Sequence, residues 1–147
     1  MYAHLLVPND GSELSRQAVE SAVALARSLN ARVSFLYIQP DFPLPLAGEG
    51  AMMVPESREE FARSTQEQSR RILAESEEIA RKAGVASQSH TTVSDIPYEV
   101  IINTANTEGC DLIFMASHGR KGLAGLLIGS ETHKVLTHCR IPVLVFR

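Results

Sequence analysis

From end to end the chain alternates short apolar runs with longer stretches of helical periodicity, and that alternation leaves few folds open. His4–Pro8 (HLLVP) reads as a short buried strand that stops at Pro8-Asn9-Asp10-Gly11, a cluster of turn formers. Ser12 is placed to cap a helix whose inner stripe reads Leu14, Ala18, Ala22, Leu25 and Leu29. Residues 32–38 (RVSFLYI) are β-branched and aromatic, a second strand. Residues 39–55 shift to Pro, Gly and small side chains, a loop too short to be a domain linker. Ser57-Arg58-Glu59-Glu60 is a capping box that opens a long charged helix, with Phe61, Ile72 and Ile79 near one face and Gly84 at its end. Residues 85–93 form a polar, Thr-rich strand suited to a sheet edge. Pro97 stands where a helix's first turn tolerates it, with Val100, Ile101 and Ala105 facing inward until Gly109. Residues 111–116 (DLIFMA) are the most continuously apolar run, as in a central parallel strand buried on both faces. A Gly-rich loop, a helix from Ser130 to about Thr137 and a last strand over 142–146 (PVLVF) complete the pattern.

Strands that alternate with helices predict an α/β fold with a parallel sheet, because parallel neighbours need crossover connections. Right-handed crossovers place helices on both faces of the sheet. Ligands of such sheets bind at the C-terminal strand ends where the winding reverses. Two loops compete for that place: PNDGS after the first strand and SHGRKGLAGLLIGS after the fourth.

Gross properties narrow the function classes. At 147 residues the chain fits one domain with a proper core. A net charge of -3 gives no basic surplus for nucleic acid, and no basic amphipathic stretch suggests a membrane surface. The opening residues lack a basic lead, and the two cysteines suit a reducing compartment, so a cytoplasmic location is the expectation. Cys110 and Cys139 each precede a strand and read as two unreactive thiols rather than a redox pair.

The loop after the fourth strand carries the chemistry. Its glycines allow backbone N–H groups to approach a ligand closely. Gly129-Ser130 falls where the last helix begins, so free amides and the positive end of the helix dipole meet there, a ready phosphate site. Ser130 is expected to cap that helix and to offer its hydroxyl to the ligand, with Arg120 and Lys121 adding positive charge. On spacing alone the loop fits either an anion cradle or a plain tight turn. It is neither a P-loop nor the dinucleotide fingerprint, since Gly119, Gly122 and Gly125 are spaced three and three after the wrong strand.

This stretch, followed by HKVLTHCRIPVLVFR, resembles the C-terminal signature of the universal stress protein family. ATP-binding members carry Gly, two residues, Gly, nine residues, then Gly-Ser or Gly-Thr. Here the second glycine is Gly119, the final pair is Gly129-Ser130, and Ala116 replaces the first glycine. The opening HLLVPNDGSELSRQAVESAVALA also resembles the family's first strand and helix. The resemblance implies a Rossmann-like, doubly wound, five-stranded parallel sheet of order 3-2-1-4-5. It implies an ATP site at the switch point: Pro8, Asn9 and Asp10 on the ribose side, Ile38 reading adenine through its backbone, and Ala116, Ser117, His118, Gly119, Arg120, Gly129, Ser130 and Glu131 around the phosphates, with Mg²⁺ or Mn²⁺ as accompanying ion. It implies homodimers through residues 141–146. If position 116 needed a left-handed backbone, alanine would cost about 1–2 kcal/mol there and weaken binding; in ordinary strand it would cost only some close approach.

Each residue also has a plainer reading. Asp10 between a strand and a helix can simply form a turn. A loop histidine such as His118 is often only solvated, and His133 and His138, five apart, lack the spacing that shares a helix face. The nucleophile elbow G-x-S-x-G is absent, and adjacent Ser117-His118 side chains do not make a nucleophile–base pair, which speaks against a hydrolase. The expectation is an ATP-binding stress-response regulator rather than an enzyme, with slow hydrolysis at most because no general base stands beside the phosphates. The alternative is a nucleotide-free dimeric protein acting through a partner, recommended by Ala116 and the 39–55 loop.

Overall fold

The computed structural model describes residues 1–43, 57–120 and 128–147. Lys121, Gly122 and Gly125, together with most of the 39–55 loop, lie outside the described residues. The element order is β1 (His4–Pro8), α1 (Glu13–Leu29), β2 (Arg32–Gln39), α2 (Arg58–Lys82), β3 (Ser87–Val93), α3 (Pro97–Thr107), β4 (Leu112–Ala116), α4 (Ser130–His138) and β5 (Val143–Phe146). The five strands form one parallel sheet in the order β3-β2-β1-β4-β5. The winding reverses between β1 and β4, so their exits flank the switch point.

Alternate residues of the central strands feed two cores. Leu5, Val7, Phe35 and Phe114 pack beneath α1 and α2, while Leu6, Leu36, Ile113 and Met115 pack against α3 and α4. The α1 stripe is rotated from the expected one: Ala18, Val19, Ala22, Val23 and Ala26 are buried, and Leu14, Leu25 and Leu29 lie at the rim. Small side chains in the middle let the helix approach the sheet, and the leucines seal the flanks. Asn30 ends the helix in a left-handed conformation, φ 55°.

The inner face of α2 is unexpectedly polar. Ser57 and Glu60 close the capping box, as predicted. Thr65, Ser69 and Ser76 then point at the sheet beside Ile72, Leu73 and Ala80. Ser69 Oγ donates to Thr91 Oγ1 at 2.9 Å, Thr65 Oγ1 to Gln39 Oε1 at 3.5 Å, and Ser76 Oγ to the Ile72 carbonyl at 3.0 Å. These bonds satisfy the buried hydroxyls of α2 and join it to the Thr-rich edge strand, whose residues stay half-buried or exposed.

Four strand boundaries differ from expectation: β2 runs on to Gln39, β5 starts at Val143 rather than at Pro142, and β3 and β4 both start late. Val85 is buried but lies outside β3, because its amide closes α2 on the Ala80 carbonyl at 2.9 Å. Asp111 lies outside β4, where its carboxylate accepts from the Ala3 and His4 amides at 2.9 and 3.0 Å and ties the entries of β1 and β4 together.

His4 is 3% exposed, with Nε2 bonded to Ser34 Oγ at 2.7 Å and Nδ1 without a partner. Burial, reinforced by the Arg32 charge, holds its pKa below the ordinary value, against the opposing pull of Asp111 and Glu108. The unfolded chain takes up this proton before the folded one, so stability is lost as pH falls from about 6.5 through the lowered folded pKa. Urea unfolding from about pH 7.5 down to about pH 5 should show this loss, and His4→Gln should flatten that slope. Identical slopes in both proteins would rule His4 out as its source.

Candidate functional site

The exit of β1 is fixed by side chains folded onto their own backbone. Pro8 ends the strand half-buried. Asn9 is 7% exposed: Nδ2 donates one proton to Ser76 Oγ at 3.0 Å, Oδ1 accepts from Gly11 N at 2.9 Å, and Ser15 Oγ, 2.9 Å from the same oxygen, shares its one proton between Asn9 and Asp10. Its own N–H reaches the Leu36 carbonyl at 2.9 Å. Asn9 therefore braces the turn rather than facing a ligand with its side chain. Gly11 has φ +81°, and a Cβ there would meet Arg120 Nη2 at 2.6 Å and Ile72 Cδ1 at 2.7 Å, so both backbone and space demand glycine.

Asp10 joins the two loops at the switch point. Its Oδ1 accepts from Ser12 N at 2.9 Å and Ser15 Oγ at 2.8 Å, and its Oδ2 accepts from the Arg120 amide at 2.9 Å. Burial pushes the carboxyl up, but the bonds from Ser12, Arg120 and Ser15 outweigh it and hold the pKa below the ordinary value. A carboxylate offers about four acceptor positions, so one beside Oδ2 remains for a hydroxyl.

At the exit of β4 the missing family glycine costs no backbone strain. Among the described residues Asn30 alone is a non-glycine with positive φ, so Ala116 has ordinary strand geometry. Ser117 is 2% exposed: its N–H donates to the Phe146 carbonyl at 2.7 Å, and its hydroxyl pairs with His118 Nδ1 at 3.1 Å. Both side chains thus engage each other, with His118 half-buried. Gly119 is required for space rather than for φ, since a Cβ would overlap Asp10 Oδ2. The Arg120 guanidinium lies across Gly11 toward α2, where the Gln68 amide, with its oxygen turned inward, accepts from Nη1 at 2.8 Å and from Nη2.

The start of α4 corrects one expectation. Gly129, not Ser130, occupies the cap position (φ -72°, ψ 161°), and no side chain caps the helix. Ser130 is the first helical residue. The Gly129 amide is used internally, donating to the Ser117 carbonyl at 2.6 Å, and a Cβ on Gly129 would press on His118 and the Ser117 oxygen at 3.2 Å. Among the described residues none accepts from the amides of Ser130, Glu131 or Thr132, which remain as the anion-seeking end of the helix. The Glu131 side chain turns to α3, where Oε2 accepts from Tyr98 N at 3.0 Å and supplies the cap that Ile96 cannot.

Ile38 completes the rim. Asn9 N bonds the Leu36 carbonyl, so Leu36 and, two residues on, Ile38 turn their main-chain groups toward β1. The chain of β1 has already turned away, and Ile38 N–H and C=O keep no main-chain partner on that side among the described residues. The structure therefore brings Asp10, Gly119, Arg120, Ser117 and Gly129 into one connected set beside the open Ile38 backbone. It assigns the side chains of Asn9, Ser117 and Glu131 to internal contacts. Gln68, Ser15 and Thr132, whose Oγ1 donates to the Ala116 carbonyl at 3.0 Å, escaped the sequence analysis. A threonine in a helix's first turn after a Gly-rich loop is a usable signal; Gln68, far away in sequence, gives none.

The profile of the universal stress protein family matches residues 1–147. The chain belongs to the universal stress protein family. Universal stress protein YxiE of Bacillus subtilis is 31% identical over 149 residues, covering 100% of both chains. Universal stress protein MJ0577 of Methanocaldococcus jannaschii is 28% identical over 156 residues, covering 100% of this chain and 96% of the relative. Its solved structure superimposes with a TM-score of 0.81 at 27% identity, over 99% of this chain and 96% of that one. A universal stress protein in complex with cAMP shares the fold, with a TM-score of 0.71 at 24% identity over 99% and 97% of the two chains.

Gly119→Ala should cost about 1–3 kcal/mol in urea unfolding, because the new methyl displaces the Asp10 carboxylate. Gly129→Ala should cost less, its neighbours needing to give only a few tenths of an ångström. The reverse order would mean that Asp10 is not held against Gly119. Glu131→Ala should cost about 0.5–2 kcal/mol through loss of the α3 cap.

Proposed function

We propose that this universal stress protein binds ATP at the switch point between β1 and β4 and acts as a stress-response regulator rather than as a dedicated enzyme. The observation that carries the reading is the set of Ser130, Glu131 and Thr132 amides at the α4 N-terminus, which have no acceptor among the described residues and are joined to the Asp10 carboxylate through the Ser117–Arg120 loop. The amides suit phosphate oxygens. The spare acceptor of Asp10 suits a ribose hydroxyl, and the open N–H and C=O of Ile38 suit an adenine edge. The neighbour solved with cAMP supports an adenine nucleotide as ligand. Ala116, with its ordinary backbone, leaves the binding reading intact.

Among the described residues no three His, Cys, Asp or Glu side chains converge as metal ligands. Any Mg²⁺ or Mn²⁺ would therefore enter with the phosphates. We further propose a cytoplasmic homodimer joined through residues 141–146: β5 is a sheet edge, with Leu144 37% exposed. In sedimentation, Leu144→Lys should convert a dimer to a monomer.

Calorimetric titration of nucleotide-stripped protein with ATP and Mg²⁺ tests the main reading. Saturable binding is expected, weakened at least about tenfold in a folded Gly129→Val variant, whose added methyls drive the α4 N-terminus away from His118. Absence of heat at about 1 mM nucleotide would favour the alternative, a nucleotide-free partner-binding dimer.

A further inference from the structure

A concave site separate from the switch point lies on the opposite flank of the sheet from β5. The crossovers β3-α3-β4 and β4-α4-β5 both run away from β3, so α3 leans on α4 and only touches β2. The β3 face on that side has no helix over it among the described residues. The result is an open depression of about 260 Å³ between β3 and α3. Leu36 and His90 form its floor, Thr92 one wall, Asn103, Thr104 and Thr107 the other, and Glu108 closes one end.

From the geometry we infer that this depression binds a neutral polyhydroxylated ring, a monosaccharide or cyclitol. Its volume is just below the range of about 300–1,000 Å³ typical of drug-sized ligands, which fits one ring and excludes a nucleotide. Its lining contains no Lys or Arg, so it offers nothing to balance an anion. Among the described residues, the Thr92, Thr104 and Thr107 hydroxyls and the Asn103 amide make no hydrogen bond within the chain; Thr104 is half-buried and the other three are exposed, so water serves them until a ligand displaces it. Hydroxyls and a primary amide both donate and accept, the pattern that a ring of hydroxyls complements. The closed end is loosely joined: Glu108 Oε2 accepts from Gln88 Nε2 at 2.9 Å, while His90 Nε2, shielded from water, stays 3.6 Å from the same oxygen with no partner. A ligand seated on the His90 ring tightens that contact.

The site is remote from the α4 N-terminus and independent of the nucleotide reading. A ligand with about a dozen heavy atoms at drug-like efficiency binds in the millimolar range. The test is amide and histidine-ring NMR on the full chain, titrated separately with D-ribose, D-glucose and myo-inositol, with glucose 6-phosphate as the charged comparison. Saturable shifts confined to residues 88–92 and 103–108 are expected for at least one neutral ring, with weaker binding of the phosphate ester. Thr104→Val should weaken that binding roughly tenfold, about the loss of one hydrogen bond. Asn103→Leu, at an exposed position that leaves folding unaffected, should do the same. No saturable shift with any of the three neutral rings, or equal binding by both variants, would overturn the assignment.

Discussion

A single half-buried carboxylate ties the two loops of this fold together at the point where the winding diverges. A parallel sheet wound in both directions must leave a gap where the winding reverses, since the chain departs from β1 to one side and from β4 to the other. Asp10 spans that gap with three hydrogen bonds, two within its own turn and one to the Arg120 amide. Gly119 lies against it without a side chain, and Gly11 leaves room for the Arg120 guanidinium. The same contacts that make the turn rigid fix the charge and the free amides of the candidate site. The structural role of Asp10 and the binding role proposed for it are therefore compatible within one arrangement.

Polar residues do much of the packing around this centre. Asn9 reaches Ser76, and Ser69 reaches Thr91, so α2 is joined to the sheet by hydroxyl and amide bonds as well as by Ile72 and Leu73. Buried hydrogen bonds add little net stability but are costly to leave unmade, which makes them strong determinants of register. They set α2 at one height against β1, β2 and β3, and that height decides where Gln68 meets Arg120.

Much of the fold was legible from local pattern. The strand–helix alternation, the capping box at Ser57 and the continuous apolar run of β4 each have a local cause, and each appears where the pattern places it. The errors are local as well. Val85 looks like strand, but its amide is consumed in closing α2, and the leucines of α1 look central although close approach to the sheet favours alanine and valine. At the candidate site, the sequence placed the start of the last helix but misassigned its cap, because Gly129 and Ser130 are equally plausible caps until the Ser117 carbonyl claims the Gly129 amide.

By itself the sequence determined the class of fold and the two chain segments that meet at the switch point, because periodicity, turn chemistry and caps are properties of neighbouring residues. Only the tertiary structure decided which side chains are spent internally. The Asn9 and Glu131 side chains are taken up by Ser76 and by the Tyr98 amide, 67 and 33 residues away, while the Ser117 hydroxyl is taken up by its neighbour His118. Hydrogen-bond capacity is finite, so whether a polar group serves the fold or a ligand depends on what the folded chain places beside it.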